Sequence, residues 1–204
     1  MRKFLLFILL ISASIFMGFK IYNDEIKFWT KQTTFDKAVD FEKSLNKKSK
    51  RISMNVSLSE SVYPLINKYK IAQPIIIERK QTGFLPSYAE YFYSEGDSVL
   101  RYINYDWERD KYGNFFKKQT MWKEESKKLV EYNKEYERIK SMLVNQIGKP
   151  IIQDDKPEVV KSNSNRGDYL TRKAVWETEE YYSALTMIFE SMTYRIRWKY
   201  YWKN

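Results

Sequence analysis

Thr193-Tyr194-Arg195-Ile196-Arg197-Trp198-Lys199-Tyr200-Tyr201-Trp202 is the stretch whose reading decides the fold. Tyr194, Ile196, Trp198, Tyr200 and Trp202 alternate with Arg195, Arg197, Lys199, Tyr201 and Lys203. Successive side chains of a strand point to opposite faces, so each set occupies one face. The aromatic face is expected to pack on a helix. The other face carries Arg195, Arg197, Lys199 and Lys203, interrupted by Tyr201. Same-face neighbours lie about 7 Å apart, twice the rise per residue.

Two further strands precede this one, over residues 172–177 and 181–189. Residues 154–168 read as a loop, rich in Asp, Ser and Asn. Within it Arg166-Gly167-Asp168 matches an integrin-recognition tripeptide, but three common residues in a turn identify nothing. Asp154, Asp155 and Glu158 lack the spacing and glycine of an EF-hand calcium loop. Residues 122–147 carry the clearest helix. Leu129, Tyr132, Tyr136, Ile139, Leu143 and Ile147 form one stripe, Gly148 follows, and Pro150 prevents continuation.

Further upstream, runs over 88–93 and 99–107 flank a short Gly-containing loop and predict a hairpin with both faces partly covered. Ile75-Ile76-Ile77-Glu78-Arg79 predicts a strand, and residues 59–71 a short helix with Val62, Leu65, Ile66 and Tyr69 inward. A loose helical stripe runs from Ile26 to about Asn46. The basic cluster Lys43, Lys47, Lys48, Lys50 and Arg51 then reads as a solvated connector or an anion contact.

Ala72-Gln73-Pro74-Ile75-Ile76 and Gly148-Lys149-Pro150-Ile151-Ile152 occupy corresponding places in two helix-then-strand orders. Duplication explains this, and so does the frequency with which helix and meander cover one sheet face. Both give an α+β class: helices on antiparallel β-sheet, behind an N-terminal membrane helix, with two tandem helix-plus-meander repeats as the finer reading. The expected division is residues 1–22 as signal-anchor or signal peptide and 23–57 as helical stalk and basic connector. A first α+β unit follows over 58–108, a linker over 109–121 and a second unit over 122–204.

The N-terminal segment sets the expected compartment. Arg2 and Lys3 precede sixteen uncharged, mostly apolar residues, Phe4 to Phe19, and Lys20 follows. The run spans roughly 24 Å as a helix and nears membrane-spanning length once Ile21 and Tyr22 are included. The only small-x-small tripeptide, Ser12-Ala13-Ser14, comes too early for ordinary cleavage, which favours an uncleaved signal-anchor over a removed signal peptide. Basic residues before the run put the N-terminus in the cytoplasm and the domain outside it. The alternative is an exported, soluble product after cleavage.

Composition removes whole classes of chemistry. With no Cys and no His there are no disulfides, thiolate nucleophiles, Cys- or His-ligated metals or Ser-His-Asp triads. No phosphate-binding loop is present. No catalytic, cofactor-binding or metal-ligating residue is therefore assigned, and no cofactor is expected. The net charge is +10, of which Arg2, Lys3 and Lys20 supply three. The rest is mixed with 26 acids, so it identifies no partner by itself.

These observations lead to a membrane-anchored, extracytoplasmic, non-catalytic interaction domain of the cell envelope. The membrane is its partner through Phe4 to Phe19, and a protein or envelope component is the other. The first alternative is a binder of anionic polymer or headgroups through Arg195, Arg197 and Lys199, with Lys117 and Lys118. Nucleic acid fits poorly outside the cytoplasm. The second alternative is a hydrolase using two of Glu177, Glu179, Glu180 and Asp106.

Overall fold

A computed structural model describes residues 27–45, 48–80, 83–162 and 167–204. The segment Phe4 to Phe19 lies outside the described residues, as do Lys47 and Arg166. Among the described residues no helix is long and apolar enough to cross a membrane.

The described residues are α+β, with three helices packed against one antiparallel sheet. The helices are α1 (Phe35–Leu45), α2 (Phe115–Glu125) and α3 (Leu129–Ile147). The strands are β1 (Lys50–Ile52), β2 (Ile75–Arg79), β3 (Ser87–Tyr93), β4 (Leu100–Trp107), β5 (Ile152–Gln153), β6 (Glu158–Val160), β7 (Tyr169–Glu177), β8 (Tyr181–Glu190) and β9 (Thr193–Trp202). Their order is β1-β2-β3-β4-β9-β8-β7-β5, and β6 also pairs with β7.

β9 lies inside the sheet, between β4 and β8. Its residues alternate without exception between half-buried and buried, as the sequence pattern predicts. Tyr194, Ile196, Trp198, Tyr200 and Trp202 join the main core with Tyr132, Tyr136, Ile139 and Leu143 of α3. The α3 stripe therefore meets the aromatic face of β9. α1 covers β3 on the same side, through Ala38 and the pairing of Glu42 with Arg79.

Several elements differ from the sequence expectation. The helix expected over 122–147 is two helices, because Ser126, Lys127 and Lys128 form a turn between α2 and α3. Much of the stretch expected as linker is α2, capped by Asn114 through the amide of Phe116 at 2.8 Å. Helix α1 starts only at Phe35. Residues 27–34 run extended across the sheet instead, with the Leu100 amide donating to Thr33 O at 2.8 Å. The segment 59–71 forms turns with one short 3-10 element, Ile66–Lys68. Pro64 lacks an amide hydrogen and disfavours helix in the residue before it. The expected inner face survives without the helix: Val62, Leu65, Ile66 and Tyr69 surround Tyr63, Phe92 and Tyr102 on the second face of the sheet. That cover explains why β3 and β4 are buried on both sides.

Candidate anion-binding face

The second face of the sheet is covered over β3 and β4 and open over β7, β8 and β9. Two cover elements account for this: residues 56–71, and the chain leaving β4 through Lys111 and Tyr112. The boundary runs along a buried charge cluster. Asp106 has no exposed surface, and Arg197 grips it bidentately, with Nε to Oδ1 at 2.7 Å and Nη2 to Oδ2 at 2.8 Å. Cross-strand pairing places them, since Asp106 on β4 lies opposite Arg197 on β9. Lys111 bridges Asp106 and Glu90, Tyr112 donates to Glu90, and Asn104 Nδ2 donates to Glu90 at 3.0 Å and Asp106 at 2.8 Å. Burial would raise the Asp106 carboxyl, but Arg197 and Lys111 outweigh it and hold it well below the usual carboxylate range.

Beyond this cluster the cations have no such partners. Among the described residues no ion pair joins the side chain of Lys173, Arg195 or Lys199, and the buried Nε of Arg195 lacks a hydrogen-bond acceptor. Burial lowers the Arg195 guanidinium from its usual value, and neighbouring Arg197 adds to the effect, against a partial opposing pull from Asp106, Glu108 and Glu90. Burial, then Lys173 and Arg197, lowers the Lys199 ammonium. These are cations held near one another with part of their water removed, and an incoming anion would relieve that.

The register shapes the surface between them. Lys173 on β7 lies opposite Thr186 on β8, which lies opposite Arg197 on β9. Ala184 on β8 lies opposite Lys199. Ala184 and Thr186 are small, so β8 forms a trough floor about 10 Å wide, two strand spacings. Lys173 stands on one side, and Arg195 and Lys199 on the other. The stacked rings of Tyr182 and Tyr201 close one end, with centroids 5.2 Å apart, and Lys199 sits 5.2 Å from the Tyr182 ring.

The expected contact residues therefore separate. Arg195 and Lys199 belong to the trough, and Arg197 lines it while committed to Asp106. Lys118 donates to the Lys111 carbonyl at 2.5 Å and approaches the cluster through Glu108, whose carboxyl burial raises. Lys117 is exposed on α2. Lys173, absent from the expected set, joins it because its neighbour in space is two strands away. Of the carboxylates considered for hydrolysis, Glu177 pairs with Lys203 in the region of the β7–β8 turn, while Asp106 is sealed under Lys111 and Arg197. Asp154 accepts the Lys173 amide at 2.6 Å, and the Asp154 and Asp155 carbonyls hold Arg172. Among the described residues no group of three or more Asp or Glu is placed to hold a metal ion.

A second surface feature is a groove of about 560 Å³ between α2 and the β8–β9 turn, lined by Trp122, Lys123, Met192 and Tyr194 among others. Phe115 stands edge-on to Trp122 beside it, at 5.9 Å.

No family model, no curated protein and no solved structure matches this chain.

Proposed function

We propose that this protein is a membrane-anchored, extracytoplasmic, non-catalytic interaction domain that binds an anionic polymer of the cell envelope along the β7–β9 trough. The observation that carries this reading is the unpaired state of Lys173, Arg195 and Lys199 on an uncovered sheet face, among the described residues. The basic, apolar opening of the sequence supports the anchor. An internal duplication belongs to the same proposal: the meanders β2-β3-β4 and β7-β8-β9 run outward in mirrored order from the β4–β9 pair.

The full chain in a neutral detergent, titrated with fluorescent polyphosphate, should bind with an affinity that falls steeply as salt rises. Charge reversal at Lys173 and Lys199 together should weaken binding about tenfold or more, equivalent to roughly 1.4 kcal/mol. Lys117→Glu, on α2, should leave it unchanged. Because the Lys199 ammonium is lowered, affinity should also decline with rising pH before an ordinary lysine would deprotonate. Unaltered binding in the double variant would sink the trough assignment. The anchor is tested separately: the protein should stay with membranes through carbonate and high salt and be released by detergent.

A further inference from the structure

We propose that the end of the domain formed by α2 and the β8–β9 turn rests on an anionic bilayer surface. Phe115 and Phe116 would enter the headgroup layer, with Lys117 and Lys123 against lipid phosphates. This rests on the anchor reading above and adds an orientation to it.

Three observations meet at this end of the sheet. The first is where the described chain begins. The Lys27 carbonyl accepts from Arg79 Nη1 at 3.1 Å, and Arg79 is the last residue of β2. Residues 28–33 run along β4: the Leu100 amide donates to Thr33 O, the Trp29 amide donates to Tyr105 Oη, and the Phe28 ring lies 6.0 Å from Trp107. Followed back toward Lys27 the chain heads for the Trp107 end of β4, and Trp107 lies opposite Ile196 at the base of β9. The β8–β9 turn and α2 lie just past that pair. Tyr22 closes the apolar segment only five residues before Lys27, and five residues reach at most roughly 18 Å. That direction and reach put this end of the sheet against a bilayer that holds an anchored segment.

The second observation is exposed apolar surface. Phe116 is 76% exposed and Phe115 52%, and Met192 is exposed across the groove. Two adjacent phenylalanines in water are costly, at about 25 cal/mol per Å² of apolar area. Aromatic rings beside cations suit the headgroup layer.

The third is charge. Lys117 and Lys123 are exposed on α2. Of the two acids on α2, Glu125 turns inward to Arg109 and Lys128, leaving Glu124 at the surface. The helix thus presents a net positive charge to anionic lipid.

Because the chain has no cysteine, a single introduced thiol reports one position. Phe116→Cys and, at the opposite end of the sheet, Glu179→Cys are each labelled with an environment-sensitive dye. The full chain is reconstituted in phosphatidylcholine vesicles with and without phosphatidylglycerol. With phosphatidylglycerol, the dye at 116 should emit to the blue and be quenched by aqueous iodide several-fold less than the dye at 179. Lys117→Glu with Lys123→Glu should remove that protection. Both positions are exposed in turns or at a helix start, so folding is checked by unchanged far-UV circular dichroism. Vesicle-bound protein with equal quenching at 116 and 179 overturns the orientation and leaves the anchor standing. Equal protection in both lipids overturns the role of the lysines. Loss of the protein from vesicles on carbonate washing overturns the anchor and the orientation with it.

Discussion

Asp106 shows what a single side chain does in this sheet. It has no exposed surface, yet it is held ionised by Arg197 and Lys111. A buried carboxylate survives only when opposing charges and hydrogen bonds offset its lost hydration. Asp106→Asn keeps the shape and removes the charge, leaving Arg197 and Lys111 with less compensation. The expected loss is about 3–5 kcal/mol, the usual cost of breaking a buried pair, measured by urea denaturation. The pH dependence has a defined sign. The folded carboxyl lies below its unfolded value of about 3.9, so its contribution is complete above that pH and is lost as pH falls through the folded value. The stability gap between wild type and Asp106→Asn should therefore close on acidification below about pH 4. A gap that stayed constant to the lowest pH would show that the loss comes from something other than the carboxylate charge. A second buried pair is built in the same way: Arg79 meets Glu42 through Nε at 2.7 Å and Nη2 at 2.5 Å, and Tyr91 donates to the same carboxylate. Both pairs link side chains distant in sequence, which is why neither is visible as a motif.

At the scale of elements, α3 depends on how it ends. Gly148 has φ +88° and ψ −173°, a conformation open almost only to glycine. Its amide donates to Val144 O at 3.0 Å, and its carbonyl accepts from Trp176 Nε1 at 2.7 Å. The turn therefore aims the chain from α3 into β5 and ties it to β7. Gly148→Ala adds no clash, since open space surrounds the site, so its cost is backbone strain alone. About 1–3 kcal/mol should be lost in urea denaturation, with polyphosphate binding unaltered. A shift under a few tenths would mean the turn relaxes freely. Elements with a clean period were legible from sequence. β9 follows its alternation at every position, β2 runs from Ile75 to Arg79 as expected, and the α3 stripe and its Gly148 stop are where the spacing puts them. The misreadings have local causes. Pro64 turns an apolar helical stripe into irregular turns, and residues 115–125 lack the apolar stripe that would mark a helix, so that its cap, Asn114, is its clearest signal. Half of the trough was legible, because Arg195 and Lys199 alternate on one strand. Lys173 was not, because only the β7–β8–β9 register brings it there.

For the whole molecule, the decisive contact is β4 against β9. Six consecutive pairs, from Tyr102 with Tyr201 to Trp107 with Ile196, join the first meander to the last. Phe28 bridges the same seam from above, with ring centroids 5.3 Å from Tyr105 and 4.9 Å from Trp198. Tyr105 and Trp198 lie opposite each other and stack at 5.4 Å. One apolar cluster runs from Ile75 on β2 to Trp176 on β7 without interruption at the seam. Separating the halves would expose that core and leave the edges of β4 and β9 without ladder partners. The halves should therefore unfold together. Tryptophans lie on both sides of the seam, Trp29 and Trp107 on one and Trp176, Trp198 and Trp202 on the other, so fluorescence samples the whole sheet. Urea curves from fluorescence and from far-UV circular dichroism should coincide. Trp198→Ala, which opens the seam, should lower both midpoints together by about 3–5 kcal/mol of stability. Two separate transitions, with only one moved by Trp198→Ala, would mean that each meander holds its own core and that the β4–β9 ladder merely docks them.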